Sequence, residues 1–148
     1  MTKIVMILYK IARCLYKMHI PILPSLIKAI IRMFFSCVVS YKSEIGDGTI
    51  LAYGGLGIVI HERCKIGKNC VIAQNVTLGG TSHIYNVPVI GDNVYIGAGA
   101  VILGDVVVGN NVVIGANSVV LKNVPDNCVV VGAPAKIIKE NIDIKNYK

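Results

Sequence analysis

The clearest regularity in the chain is a large aliphatic residue at every sixth position. From Ile60 the series runs through Ile66, Ile72, Leu78, Ile84, Ile90, Ile96, Ile102, Val108, Ile114 and Val120 without a gap in phase. An α-helix repeats every 3.6 residues and a strand every two, so neither produces this period. Four residues beyond these positions lies a second set, Cys64, Cys70, Val76, Val94, Ala100, Val106, Val112, Ser118 and Val124, all small or β-branched. They are suited to pack inward beside the large aliphatics. Gly67, Gly79, Gly91, Gly97, Gly109 and Gly115 each directly follow a large aliphatic, where a sharp corner benefits from a residue that tolerates positive φ. Three short strands and three corners then make one coil of about 18 residues. Stacked coils bury a continuous ladder of Ile and Val and pair with one another through parallel strands. The fold class expected is all-β, a parallel β-helix.

The flanks follow other rules. Thr2–Lys17 and Ser25–Phe35 read as two helices broken at Pro21 and Pro24, because proline removes a donor and clashes inside a helix. Their apolar faces need a cover, either the first coil or a membrane surface. After Ile138 the chain turns polar and rich in Lys and Asn, which predicts a frayed end or a short helix. The division expected is a helical segment over 1–41, the β-helix over 42–139 and a polar tail over 140–148.

Within the repeat, Thr81-Ser-His-Ile-Tyr-Asn-Val-Pro-Val89 breaks the composition while occupying whole hexads. Pro88 cannot donate to a ladder and the stretch lacks glycine corners, which favours a loop budding near Gly79 and Gly80. His61 precedes Gly79 by one coil length, so His61 and the root of the loop that carries His83 fall on one corner. The two histidines thereby become candidates for one site.

Composition narrows the setting. Hydrophobic residues make up 54% of the 148 and charged residues 16%, too apolar for a disordered chain. The net charge is +7, and residues 1–41 carry Lys3, Lys10, Arg13, Lys17, Lys28 and Arg32 without an acidic residue. Such a stretch suits anionic lipid or a phosphorylated ligand. With few aromatics and no recognition-helix or RNA-binding signature, nucleic acid is not expected as a partner. Five cysteines without CxxC spacing indicate a reduced, cytoplasmic protein, with Cys64 and Cys70 as small core residues. No apolar run reaches the roughly 18 residues needed to span a bilayer.

Four stretches carry a family resemblance: Gly55-Leu-Gly-Ile-Val-Ile-His61, Val76-Thr-Leu-Gly-Gly-Thr81, Ile96-Gly-Ala-Gly-Ala100 and Val131-Gly-Ala-Pro-Ala-Lys-Ile-Ile138. Over about residues 41–139 the chain resembles the hexapeptide-repeat acyltransferases, and within them the serine O-acetyltransferase branch and its relatives in polysaccharide gene clusters. The resemblance implies a left-handed coil, a homotrimer with active sites between neighbouring β-helices, and transfer of an acetyl group from acetyl-CoA to a small hydroxylated acceptor. In that branch a histidine deprotonates the hydroxyl, which attacks the thioester directly.

The sequence departs from the branch at its chemistry. The branch's histidine before Gly-Ile-Val falls at Tyr53 in Leu51-Ala-Tyr-Gly-Gly-Leu-Gly57, its orienting Asp falls near Val38, and its loop histidine before proline falls at Val87. The base is therefore His61 or His83, with His61 favoured for its rigid placement, while Tyr53 and Tyr85 are candidates for positioning the acceptor. For acetyl-CoA the resemblance implies Ala98 and Ala116 along the pantetheine groove and Lys122, Lys136 and Lys139 at the phosphates, where lysine acts as a point charge; Gly79 at the loop root is a further cofactor-binding candidate. No metal is expected. The zinc-dependent carbonic anhydrases of the same fold need a close histidine pair, whereas His19, His61 and His83 are scattered. The remaining alternative is a non-catalytic scaffold or CoA-binding protein of a surface-polysaccharide system.

Overall fold

A computed structural model describes residues 2–147. The repeat region forms three parallel sheets wound into one β-helix. The first sheet stacks β1 (Val38–Val39), β4 (Val59–Ile60), β7 (Thr77–Gly79), β10 (Val101–Leu103) and β13 (Val119–Val120). The second stacks β2 (Glu44–Ile45), β5 (Lys65–Ile66), β8 (Val89–Ile90) and β11 (Val107–Val108). The third stacks β3 (Ile50–Leu51), β6 (Val71–Ile72), β9 (Tyr95–Ile96), β12 (Val113–Ile114) and β14 (Cys128–Gly132), with β15 (Ala135–Glu140) at its edge. Ten of the eleven sixth-position aliphatics are buried, and so is every member of the small set, including Ser118. Ser118 is satisfied by the Gly132 N–H, 3.2 Å from its Oγ.

Register explains the exception. Val59 pairs with Thr77, eighteen residues on, whereas Lys65 pairs with Val89, twenty-four on. One whole hexad has left the coil, so the phase survives while Ile84, on the extruded loop, is 48% exposed. A second insertion escapes the hexad count because it precedes Ile60. Val38 pairs with Val59, twenty-one residues on, and the extra residues form the turn Ala52–Gly55, with Tyr53 and Gly54 both at positive φ.

The corner glycines need correction. Gly67, Gly79, Gly91, Gly97, Gly109 and Gly115 do not adopt positive φ; among the corner residues that do are Asn69, Asn93, Asn111 and Asn127. Asparagine tolerates this region because its short amide bonds locally. Three of these amides also form a ladder, Asn93 Nδ2 donating to Asn111 Oδ1 at 3.2 Å and Asn111 Nδ2 to Asn127 Oδ1 at 2.9 Å. The glycines answer a different demand, the close stacking of one corner on the next. A Cβ on Gly67 would stand 2.6 Å from the Gly91 carbonyl carbon, and one on Gly97 would stand 2.6 Å from the Ala116 nitrogen.

The two helices close the lower end of the stack. Helix α1 (Thr2–Lys17) and helix α2 (Leu23–Phe35) pack on each other and on the first coil, burying Val5, Tyr9, Ala12 and Ile31. The expected break at Pro24 is absent because Pro24 sits in the first turn of α2, where its missing N–H has no helical partner to lose. Tyr9 donates its hydroxyl to the Ser43 carbonyl at 2.7 Å and accepts from the Ile45 N–H at 3.2 Å. Burial raises the Tyr9 pKa above its ordinary value, so the hydroxyl stays a donor. Arg13 Nη1 donates to the carbonyls of Tyr41, Lys42 and Ser43 at 3.1, 3.1 and 2.7 Å. Groups that an open coil end would leave unpaired are thereby satisfied.

At the upper end β15 folds back on β14 as an antiparallel hairpin. The chain therefore remains a strand through Glu140, past Ile138, before a 3₁₀ turn at Ile144–Asn146. Cys37, Cys64, Cys70 and Cys128 are buried thiols outside any disulfide. Burial pushes Cys37 up to about 12 and Cys64 up to about 11, which leaves them neutral core residues rather than nucleophiles.

Candidate active site

Each β-helix sheet has two edges where corners stack, and the first sheet has candidate chemistry on both. On the edge leading to the second sheet, His61 directly follows β4, with its N–H donated to the Leu78 carbonyl at 2.9 Å. The next coil contributes Gly79, Gly80 and the root of the extruded loop. Ile60 pairs with Leu78, so His61 stacks on Gly79, as the coil length predicts. The His61 ring lies beside Gly80, with Cδ2 4.0 Å from where a Gly80 Cβ would stand.

The state of the His61 ring follows from its partner. Its Nδ1 accepts the Arg63 backbone N–H at 3.2 Å. A neutral imidazole with Nδ1 as acceptor carries its proton on Nε2. The free ring nitrogen is then a donor, suited to hold an oxygen and unsuited to take a proton. Rigid placement, the reason for favouring His61 as base, is present together with a tautomer that opposes that role.

His83 rides on the extruded loop, exposed and at φ 67. The loop is pinned on both sides of the groove it makes with the coil. Arg63 Nη2 donates to the Tyr85 carbonyl at 2.6 Å, and the guanidinium carbon lies 4.0 Å from the Tyr85 ring centroid. Asn86 Nδ2 donates to Asp105 Oδ2 at 3.2 Å on the following coil, while Val87 and Pro88 are buried at the loop's return. Tyr85 is thus a loop anchor. Arg63, Asn86 and Asp105 were not among the candidates read from the sequence. Their signal appears only once six residues are known to leave the coil and pass over their neighbours.

The opposite edge of the first sheet, reached from the third sheet, carries Tyr53, Ala98 and Ala116. Ile96 pairs with Ile114, so Ala98 and Ala116 stack, and the Asn117 N–H donates to the Ala98 carbonyl at 2.8 Å. Ile72 pairs with Ile96, which places Gln74 in the same column one coil below. Gln74 Oε1 is buried without a hydrogen-bond partner among the described residues. A buried amide oxygen left unpaired costs about 1–3 kcal/mol, and this one is enclosed, so a ligand's N–H would reach it only with the Gln74 side chain turned outward. Tyr53, 72% exposed, belongs to the first coil of this edge and is separated from His61 by β4. The structure brings together His61, Gly79 and the roots of the loop that bears His83 and Tyr85, but not Tyr53, Ala98 or Ala116.

Lys122 follows β13 on the His61 edge and is exposed. Lys136 and Lys139 stand exposed on β15, opposite Val131 and Val129. Lys139 Nζ reaches the Tyr147 hydroxyl at 3.4 Å. No group of three His, Cys, Asp or Glu side chains able to hold a metal converges among the described residues.

Short strands stacked at coil spacing build the β-helix, and within it residues 88–122 match the model of the bacterial transferase hexapeptide (six repeats). The chain is a hexapeptide-repeat left-handed β-helix, similar over most of its length to serine acetyltransferases. It is 38% identical over 135 residues to a serine acetyltransferase of Synechococcus elongatus, covering 90% of this chain and 55% of that one. With the Bacillus subtilis enzyme identity is 39% over 135 residues, covering 90% and 62%. Among solved structures, the Neisseria gonorrhoeae serine acetyltransferase superposes with a TM-score of 0.84 at 31% identity, covering 94% of this chain and 54% of that one. The Brucella abortus serine acetyltransferase in complex with coenzyme A gives 0.80 at 34% identity, covering 91% and 54%. The chain thus spans a little over half the length of these relatives.

Proposed function

We propose that this protein is an O-acetyltransferase that moves the acetyl group of acetyl-CoA to a hydroxyl of a small acceptor, serine or a sugar or polysaccharide precursor. The carrying observation is the column of small side chains that stacks Ala98 on Ala116 above Gln74 along one edge of the first sheet. Small side chains there leave room for an extended chain, and Gln74, its side chain turned outward, takes an amide N–H of the pantetheine arm. Lys136 and Lys139, with Lys122, meet the phosphates. The acceptor lies in the groove between His61 and the loop. His83 takes the hydroxyl proton as the oxygen attacks the thioester carbon, the C–S bond breaks, and the proton passes on to the departing thiolate. His61 Nε2–H holds the oxygen that gains charge in the tetrahedral intermediate, and Gly79 leaves its approach open.

The two halves of this machinery occupy opposite edges of one sheet in a single chain. Packing edge to edge with a neighbour unites them, which supports a homotrimer with the Ala98 column and Tyr53 of one subunit facing His61 of the next. Light scattering is expected to give about three times the 15.9 kDa chain mass; a monomer at micromolar concentration would end the shared-site arrangement. The unbridged buried thiols fit work in the cytoplasm.

Lys136→Ala with Lys139→Ala is expected to weaken coenzyme A by about 1–3 kcal/mol through lost charge-assisted contacts, and dephospho-CoA by less. Calorimetry on the double variant decides this. Unchanged affinity makes both lysines mere surface, and no coenzyme A binding by the parent protein favours the scaffold alternative.

A further inference from the structure

The outer faces of the two helices are at odds with the rest of the surface. On α1, Ile4, Ile7 and Ile11, with Met18 just past its end, are 46–63% exposed, spaced to form one stripe opposite buried Val5, Tyr9 and Ala12. On α2 the exposed stripe is Leu23, Leu26, Met33 and Phe34, the last two 74% exposed, opposite buried Pro24 and Ile31. Isolated exposed apolar residues are ordinary, but two such stripes on adjoining helices mark an interaction site.

Charge decides what covers it. Residues 1–41 contain six basic residues and no acidic one. Two of the six are used by the fold, Lys10 in an ion pair with Asp47 at 2.8 Å and Arg13 on the coil-end carbonyls. Lys3, Lys17, Lys28 and Arg32 make no ion pair among the described residues. A protein partner buried against these stripes would have to match four cations spread along both helices. An anionic bilayer meets them without such matching, since its headgroups are mobile and its acyl region receives the apolar side chains. The helices also cap the end of the coil stack, so flank-to-flank association of β-helices leaves them uncovered.

We propose that α1 and α2 form a peripheral docking surface for anionic membrane lipid, with Leu26, Met33, Phe34 and the Ile4–Ile7–Ile11 stripe entering the interface and Lys3, Lys17, Lys28 and Arg32 at the headgroups. Neither helix is long and apolar enough to cross a membrane; both lie along it.

The test is flotation of the full chain with phosphatidylcholine vesicles holding about 30% phosphatidylglycerol, beside pure phosphatidylcholine vesicles. The expected result is flotation with the anionic vesicles only, released by high salt through screening. Met33→Asp with Phe34→Asp, and separately Lys3→Gln, Lys17→Gln, Lys28→Gln with Arg32→Gln, are each expected to reduce bound protein at least about tenfold. Their thermal melts and coenzyme A affinity should stay at parent values, since these side chains lie outside the core and the groove. Absence of flotation by the parent, or flotation undiminished in both variants, overturns the proposal. So does a parent that ignores vesicles but doubles its assembly mass, with the doubling lost in Met33→Asp/Phe34→Asp, because a second copy then covers the face.

Discussion

Replacing His83 by glycine is expected to lower acetyl transfer by roughly 10²–10⁴-fold, the usual contribution of a positioned general base, and added imidazole is expected to restore part of it. His61→Gly should fall by a comparable roughly 10²–10³-fold, the scale of losing one donor to a developing oxyanion, but imidazole should not rescue it. His61→Gln, whose amide keeps an N–H, should retain more turnover than His61→Gly. The asymmetry rests on one hydrogen bond, the Arg63 N–H on His61 Nδ1, which leaves Nε2 protonated in the neutral ring. Rates measured against the best acceptor from a thiol-release screen check all three variants. Imidazole rescue of His61→Gly with none for His83→Gly would exchange the two roles, and wild-type turnover in both would remove histidine from the chemistry.

Gly97→Ala is expected to destabilise the β-helix by about 1–3 kcal/mol or somewhat more, the range for overpacking a close-packed interior. Its new methyl would stand 2.6 Å from the Ala116 nitrogen and 2.9 Å from both the Gly115 carbonyl carbon and the Ile114 oxygen. All three are backbone atoms of the next coil, so no side chain can swing aside and the coils themselves must part. Because Ala98 and Ala116 belong to the same two coils, coenzyme A affinity should fall with stability. Gly80→Ala is the control. Its methyl meets Val87 Cγ1 at 3.5 Å, an ordinary contact, and its melting temperature should stay near that of the parent. Equal melting temperatures for the two variants would show that the corner glycines are not required for stacking.

Read along the chain, the hexad series was sufficient for the β-helix because burial in a solenoid is decided locally. Each inward position faces the same axis whatever its neighbours do, so Ile66, Ile96 or Ile114 declares itself by phase alone. The sites of Gly67 and Gly97 were equally visible, but not their reason. The φ of a corner is a local matter, met here at Asn69 and Asn93, while the contact that forbids a Cβ comes from the next coil. A loop within 81–89 was favoured by Pro88 and the lost glycines, though Val89 itself returns to the coil. That Ile84 keeps phase yet faces solvent follows only from the pairing of Lys65 with Val89.

The site divides along the same line. The meeting of His61 with Gly79 was determined by the sequence, since one coil length separates them. The tautomer of His61 follows from a local bond to the N–H two residues on; the anchoring of Tyr85 by Arg63, the orphaned oxygen of Gln74 and the separation of Tyr53 from His61 were decided by tertiary structure. Each of these three depends on contacts between coils or across a sheet, and a hydrogen bond or an exposed edge is a property of which atoms meet in space. A repeat in one dimension specifies which residues point inward, but not what the outward ones find.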